Sequence, residues 1–395
     1  MNFGTKIDLN NSLVVYEKHP CPWDGIERKI YKISIDLLHY NETNGRIATF
    51  VSGFNNETNH KKLDELPQEE FNSIISDFIK SSSSSLTYNN TKNDIRDKGQ
   101  LVIGAVLDDG TVISGNRRFT VLRELFKETG NKDKYGYFLC CVYPCPVNEE
   151  EKKTIKRLEI QTQYSEDKAV QYSPIERLVD IYNNVLKSDS VYSENEYKNY
   201  FNLKDSQFEN LKERAIILIE YLDYIKCPNN YDIARKDKLD GPINELANFK
   251  KKIGEEEWNK IKTIFYQYLS TANGDKTRLI RSFIREYQRK PQEVTKINEE
   301  FEKSVLDNDT IEGFENKSNV SDNSSLFKEK IEDLVQKGAN ELARRKPINE
   351  VKDVTNYFRK NVELDLTGYL SDDEKAEFNN SIDELIVLAN SCKIK

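Results

Sequence analysis

The segment that most limits what this chain can fold into runs from residue 101 to residue 130. LVIGAVL (101–107) is a β-rich run, Asp109-Gly110 is a hairpin turn signal, and TVIS (111–114) reads as a second strand. Gly115-Asn116-Arg117-Arg118 follows at once and leads into a helix, with Phe119, Leu122, Leu125 and Phe126 at helical spacing and Gly130 closing it. Gly115 can take a positive φ and lets backbone approach a ligand closely. The first turn of the helix offers unpaired N–H groups and the positive end of its dipole. Arg117 and Arg118 add planar donors suited to bidentate phosphate contact. An anion site fits these residues; so does a hairpin edge followed by a solvated helix start with two surface arginines.

Around this segment the pattern is mixed. Residues 29–50 read as a strand and a turn at Asn44-Gly45, and LPQEEFNSIISDFI as a helix through Phe71, Ile74, Ile75 and Phe78. The tract SSSSSLTYNNTKN (81–93) reads as a mobile loop. KYGYFLCCVY is a third strand, with Cys140, Cys141 and Cys145 lacking CxxC spacing and assigned to strand core. Residues 149–164 read as a helix, and Ser173-Pro174-Ile175-Glu176 is a capping box opening another that runs to about Leu186.

From there the chain reads as helical. Residues 193–222 split around 202–205 at the spacing of a helix-turn-helix, and further helices are expected at 242–253, 255–270 and 276–290, the last stopped by Pro291. Residues 302–325 hold six acids and two lysines among many Ser and Asn, a linker or loop. A capping box at Ser371 opens a helix through Phe378, Ile382, Leu385 and Ala389.

Composition excludes several classes. Lys and Arg number 59 against 67 Asp and Glu, a net charge of −8, which argues against a coat binding nucleic acid everywhere but leaves room for a local basic face. Three histidines (His19, His39, His60) nearly exclude a His-rich metal site and weaken any His-activated nucleophile. Six cysteines in 395 residues are no disulfide framework, so a reducing cytoplasm is the expected compartment. The start, MNFGTKIDLN, has no apolar core of a signal peptide, and the apolar runs at 138–143 and 215–219 fall far short of the ~20 residues that span a bilayer.

The order of the pieces carries a resemblance. DGTVISGNRRFTVLREL, then RLEIQTQ, then SPIERL, then the helix-turn-helix spacing resembles the ParB/sulfiredoxin superfamily over roughly residues 29–225. ParB proteins carry a Gly-Glu-Arg-Arg type box after a strand, a Glu-Asn-x-Gln-Arg stretch, a Pro-Ile-Glu helix start and a helix-turn-helix. Asn44-Gly45-Arg46 stands where that family often has a short Arg-containing turn. The resemblance implies an α+β fold: a ParB/sulfiredoxin-like nucleotide-binding domain (1–170), a helical domain with the helix-turn-helix and a basic helix (171–300), an acidic linker (301–325) and a C-terminal helical domain (326–395).

Carried over by position, Gly115, Asn116, Arg117, Arg118 and Arg46 would hold a nucleotide triphosphate, CTP in true ParB proteins. Glu159, with Gln161, would stand near the phosphates and a Mg²⁺, Glu159 being the metal ligand and the catalytic residue of any weak CTPase activity. Asn116 replaces the family Glu, Ile160 replaces its Asn, the following Arg is missing, and the gap from Glu159 to Pro174 is longer than the family norm. Nucleotide binding therefore carries over better than hydrolysis. The sulfiredoxin Gly-Cys-His-Arg box has no counterpart.

DNA is the second implied partner. The helix-turn-helix would place Ser206, Gln207, Asn210 and Lys212 on a helix able to read base edges, although residues 193–214 hold five acids against four bases. Residues 276–290 hold six bases and one acid, with Arg278, Arg281, Arg285 and Arg289 at spacings of 3, 4 and 4 on one helix face. Five phosphate contacts there would give a salt slope of roughly −4 to −5. The expected function is a ParB-like, nucleotide-responsive (CTP-type) DNA-binding protein, with a homodimer through the C-terminal helices expected by family analogy. Alternatives on the same fold are a nuclease, an ATP- or ADP-dependent small-molecule kinase, or a protein-binding adaptor with a degenerate nucleotide site.

Overall fold

The computed structural model describes residues 3, 6–21, 25–57, 61–166, 173–309, 317–361 and 370–393. Strands β1 (Leu13–Pro20), β2 (Glu27–Ser34), β3 (His39–Tyr40), β4 (Gly104–Leu107), β5 (Thr111–Ser114) and β6 (Tyr137–Tyr143) form one sheet in the order β1-β2-β6-β4-β5-β3. The sheet is mixed: β4 lies parallel to β6 and β3 parallel to β5, while the other neighbours are antiparallel.

Alternation along the strands covers both faces, as the period of two requires. Val106, Val112, Phe138 and Cys140 point to a core shared with helices α1 (Ala48–Asn56), α2 (Gln68–Ser82), α3 (Ser85–Lys98) and α4 (Asn116–Thr129). Ala105, Leu107, Ile113, Cys141 and Tyr143 point to the other core, where, past the short α5 (Lys132–Tyr135), Leu158 of α6 (Glu149–Glu166) packs. Cys140 and Cys141 are strand core, and burial pushes both thiols well above the ordinary range.

The chain then becomes helical: α7 (Pro174–Ile181), α8 (Glu194–Tyr200), α9 (Asp205–Tyr224), α10 (Tyr231–Lys236), α11 (Asp240–Ile253), α12 (Glu255–Thr271), α13 (Lys276–Arg289), α14 (Pro291–Asp309), α15 (Lys317–Asn361) and α16 (Asp372–Ser391). Tilted aromatic pairs hold α11, α12 and α13 together; the Phe265 ring lies 5.3 Å from Phe249 and 4.5 Å from Phe283. The fold is α+β, an N-terminal mixed sheet followed by mostly helical segments. No helix of the described residues is long and apolar enough to cross a membrane.

Two expectations need correction. The serine tract at 81–93 is helical: α2 runs to Ser82, and Ser84 restarts the chain as the N-cap of α3, its hydroxyl accepting from Thr87 N at 3.2 Å. Pro291 ends α13, as expected, and also begins α14, because proline lacks only an N–H that the first helical turn leaves unpaired. The acidic stretch from 301 is helical up to Asp309 and again from Lys317, and residues 310–316 lie outside the described residues. The boundary expected at 170 also lies outside them. Chain compactness divides the molecule at Glu329, with residues 330–395 forming a second unit.

Candidate functional site

The site is built where β5 turns into α4. Gly115 sits there at φ 92°, ψ 21°, in the left-handed region that suits a residue without Cβ. A Cβ at this position would lie 2.9 Å from Phe138 Cζ and 3.1 Å from Arg118 Nη2. Arg118 Nη2 donates to the Ile103 carbonyl at 3.3 Å, tying the helix start to the chain entering β4. One turn on, the Thr120 hydroxyl donates to Asn116 O at 2.9 Å. That uses its only proton, so the 2.8 Å contact with Tyr40 has the phenol donating. Burial raises the Tyr40 phenol to about 12, which keeps it a donor at any physiological pH.

A second segment brings Arg46. Asn44 is buried and caps a single 3₁₀ turn (Gly45–Ile47), its carboxamide oxygen accepting from Arg46 N at 3.0 Å. The turn is fastened from below. Asn41 Oδ1 accepts from Thr43 N, Lys156 Nζ donates to Thr43 O at 2.6 Å, and both Asn41 Nδ2 and Lys156 Nζ donate to Glu159 Oε2 at 3.1 and 3.0 Å.

Between these segments and α3 lies a cavity of about 500 Å³, a size suited to a small organic ligand. It is lined by Asn44 and Arg46, by residues 113–118, by the end of α2, by one face of α3 and by Leu101 and Val102. Four bases (Arg46, Lys98, Arg117, Arg118) face one acid, Asp94, so the cavity has the potential an anion needs. Asn116 is only 8% exposed, and its Oδ1 is buried with no hydrogen-bond partner. Its Nδ2 leans toward the Ile113 carbonyl at 3.5 Å, and that carbonyl can only accept, which fixes Oδ1 as the orphaned end. A buried acceptor left unmet costs about 1–3 kcal/mol.

The sequence-predicted residues divide accordingly. Gly115, Asn116, Arg117, Arg118 and Arg46 all line the one cavity, whereas Glu159 and Gln161 do not. Glu159 is 2% exposed and its Oε2 is shared by Asn41 and Lys156. A carboxylate already neutralised by an ammonium is a poor ligand for Mg²⁺, which prefers free hard oxygens. Among the described residues no group of three or more His, Cys, Asp or Glu could hold a metal ion.

On the helical side, Gln207 is used locally, its Oε1 accepting from Lys204 N at 3.0 Å, and Lys212 pairs with Glu194. Ser206 is exposed and Asn210 half-buried on the same helix. On α13, Ile280, Phe283 and Tyr287 face the core, which turns the arginines outward. Arg281 pairs with Glu245 at 2.6 Å and Arg289 with Glu286 at 2.9 Å, while Arg278 and Arg285 are exposed.

What sequence reasoning missed is the α3 wall: Leu86, Asn90, Asp94 and Lys98, with Leu101 beside them. The signals were there: Ser84 as N-cap, Tyr88 and Ile95 seven residues apart on the buried side, basic residues in the last turn and Gly99 after it. Comparison of the chain with protein-family models, with curated proteins and with solved structures finds no significant match.

Proposed function

We propose that this chain is a nucleotide-responsive, ParB-like DNA-binding protein, with the nucleotide, of CTP type, held in the cavity at the start of α4. One observation supports this above all: the cavity gathers Gly115, Asn116, Arg117, Arg118 and Arg46 from two distant segments into a basic, partly apolar space. The triphosphate meets the helix N-terminus and the guanidinium groups, where charge-assisted hydrogen bonds are strongest. The paired state of Glu159 favours binding over turnover, since a general base must be free to take a proton. Arg278 and Arg285 on α13 are exposed and outside the ion pairs made by Arg281 and Arg289, so they are the groups of the basic face offered to DNA phosphates.

The test is a titration with CTP, ATP, ADP and GTP, with and without Mg²⁺, of the wild type and of Arg117→Ala. Loss of that guanidinium removes about 1.5–3 kcal/mol, roughly a 10–150-fold weaker Kd. Equal affinity in the two proteins refutes the placement.

A further inference from the structure

The cavity gathers two unlike kinds of lining residue, and an anion explains only one. Besides the arginines the cavity is lined by Leu86, Leu101 and Val102, which are 72%, 71% and 47% exposed. Singly exposed leucines are ordinary on a surface, but three apolar residues gathered on a cavity that is also lined by four bases form an amphiphilic site. Inorganic phosphate would leave those three residues wet. A ligand with a flat apolar ring joined to its anion would cover them.

The polar groups on α3 are placed in register. Leu86, Asn90, Asp94 and Lys98 recur every four residues along α3, so they share one face of it. Thr91 is spent within the helix, its hydroxyl donating to Thr87 O at 3.0 Å. Asp94 is the one carboxylate among the described residues that line the cavity. It would repel a phosphate, so in a cavity suited to anions it serves another part of the ligand. Its partner is Lys98 on the next turn at 2.9 Å, and the two side chains are 68% and 61% exposed. A pair that open holds its geometry weakly and can exchange partners. A carboxylate beside an ammonium offers one acceptor and one donor, which matches a base edge carrying an amino group next to a carbonyl or ring nitrogen.

We infer that α3, with Leu101 and Val102, is the base-reading wall of this cavity, and that Asp94 selects a nucleotide whose base edge carries an exocyclic amino group. The inference rests on the nucleotide reading above.

The test uses two pairs that differ by a single amino-to-carbonyl exchange, CTP against UTP and ATP against inosine triphosphate, with inorganic triphosphate as the baseline. Kd is measured for the full chain and for Asp94→Asn, Leu86→Ser and Arg117→Ala. In the ring class that binds more tightly, the amino member is expected to bind at least five times more tightly than its carbonyl partner, within the range of one good base-edge contact. Asp94→Asn should bring that ratio below about two with inorganic triphosphate bound as before, because an amide can donate as well as accept. Leu86→Ser should weaken both members alike and spare inorganic triphosphate. A wild-type ratio near one, or a ratio that survives Asp94→Asn, overturns the base-reading wall even where Arg117-dependent triphosphate binding persists. If inorganic triphosphate fails to bind, or binds equally well to Arg117→Ala, the nucleotide reading falls and this inference with it.

Discussion

Gly115→Ala separates backbone geometry from packing at the point where β5 turns into α4. At φ 92° an L side chain pays the left-handed penalty, roughly 1–2 kcal/mol. The new methyl would also meet Phe138 Cζ at 2.9 Å, closer than carbon atoms tolerate, and Phe138 is fully buried with its ring 5.9 Å from that of Phe119. Overpacking of this kind adds about 1–3 kcal/mol, for a total of about 2–5 kcal/mol. Gly130 supplies the control at the other end of the same helix. It too is left-handed, at φ 67°, but an added Cβ there meets nothing within 4 Å, so Gly130→Ala should cost only the backbone penalty. Urea unfolding of both variants, followed by circular dichroism, gives the comparison. Gly115→Ala should be the less stable by at least about 1 kcal/mol, with an unchanged m-value. Equal destabilisation would refute the claim that Phe138 closes the space above Gly115.

Two further outcomes follow from the charges. Burial raises Glu176 from 4.5 to about 7, so the folded state holds that proton more tightly than the unfolded chain and loses stability as pH rises between those values. Glu176→Gln keeps the acceptor for Ser173 N, so its melting temperature should match wild type near pH 4 and exceed it by pH 8, by the equivalent of on the order of 3 kcal/mol; a constant offset across that range would contradict this. On α13, with Arg281 and Arg289 already paired, two phosphate contacts through Arg278 and Arg285 should give a log K against log salt slope of about −2, not the −4 to −5 of a fully free stripe. Glu245→Gln releases Arg281 and should steepen that slope by about one, and a flat response in both proteins would remove DNA from this face.

How much of this could be read from the sequence depended on how local the deciding interaction was. The hairpin, the glycines at both ends of α4 and the capping boxes at Ser173 and Ser371 are each fixed within a few residues, and their patterns were legible. The serine tract was not, because composition suggested a loop while a single Ser84 cap and burial of Tyr88 and Ile95 against the sheet domain decided for helix. Pairing of Arg281 was invisible for the same reason, because Glu245 lies on another helix, whereas Arg289 meets Glu286 at i,i+3 within α13. Glu159 is the sharpest case. Its position in the chain suggests a carboxylate facing phosphates, yet it reaches across 118 residues to Asn41, and Asn41 holds Thr43 beside the Asn44 cap that presents Arg46. A buried carboxylate is retained where its lone pairs are met, and here they are met by the floor of the turn. The acid therefore braces from beneath the turn that carries Arg46, and it is the Arg46 side of that turn, not the carboxylate, that lines the cavity.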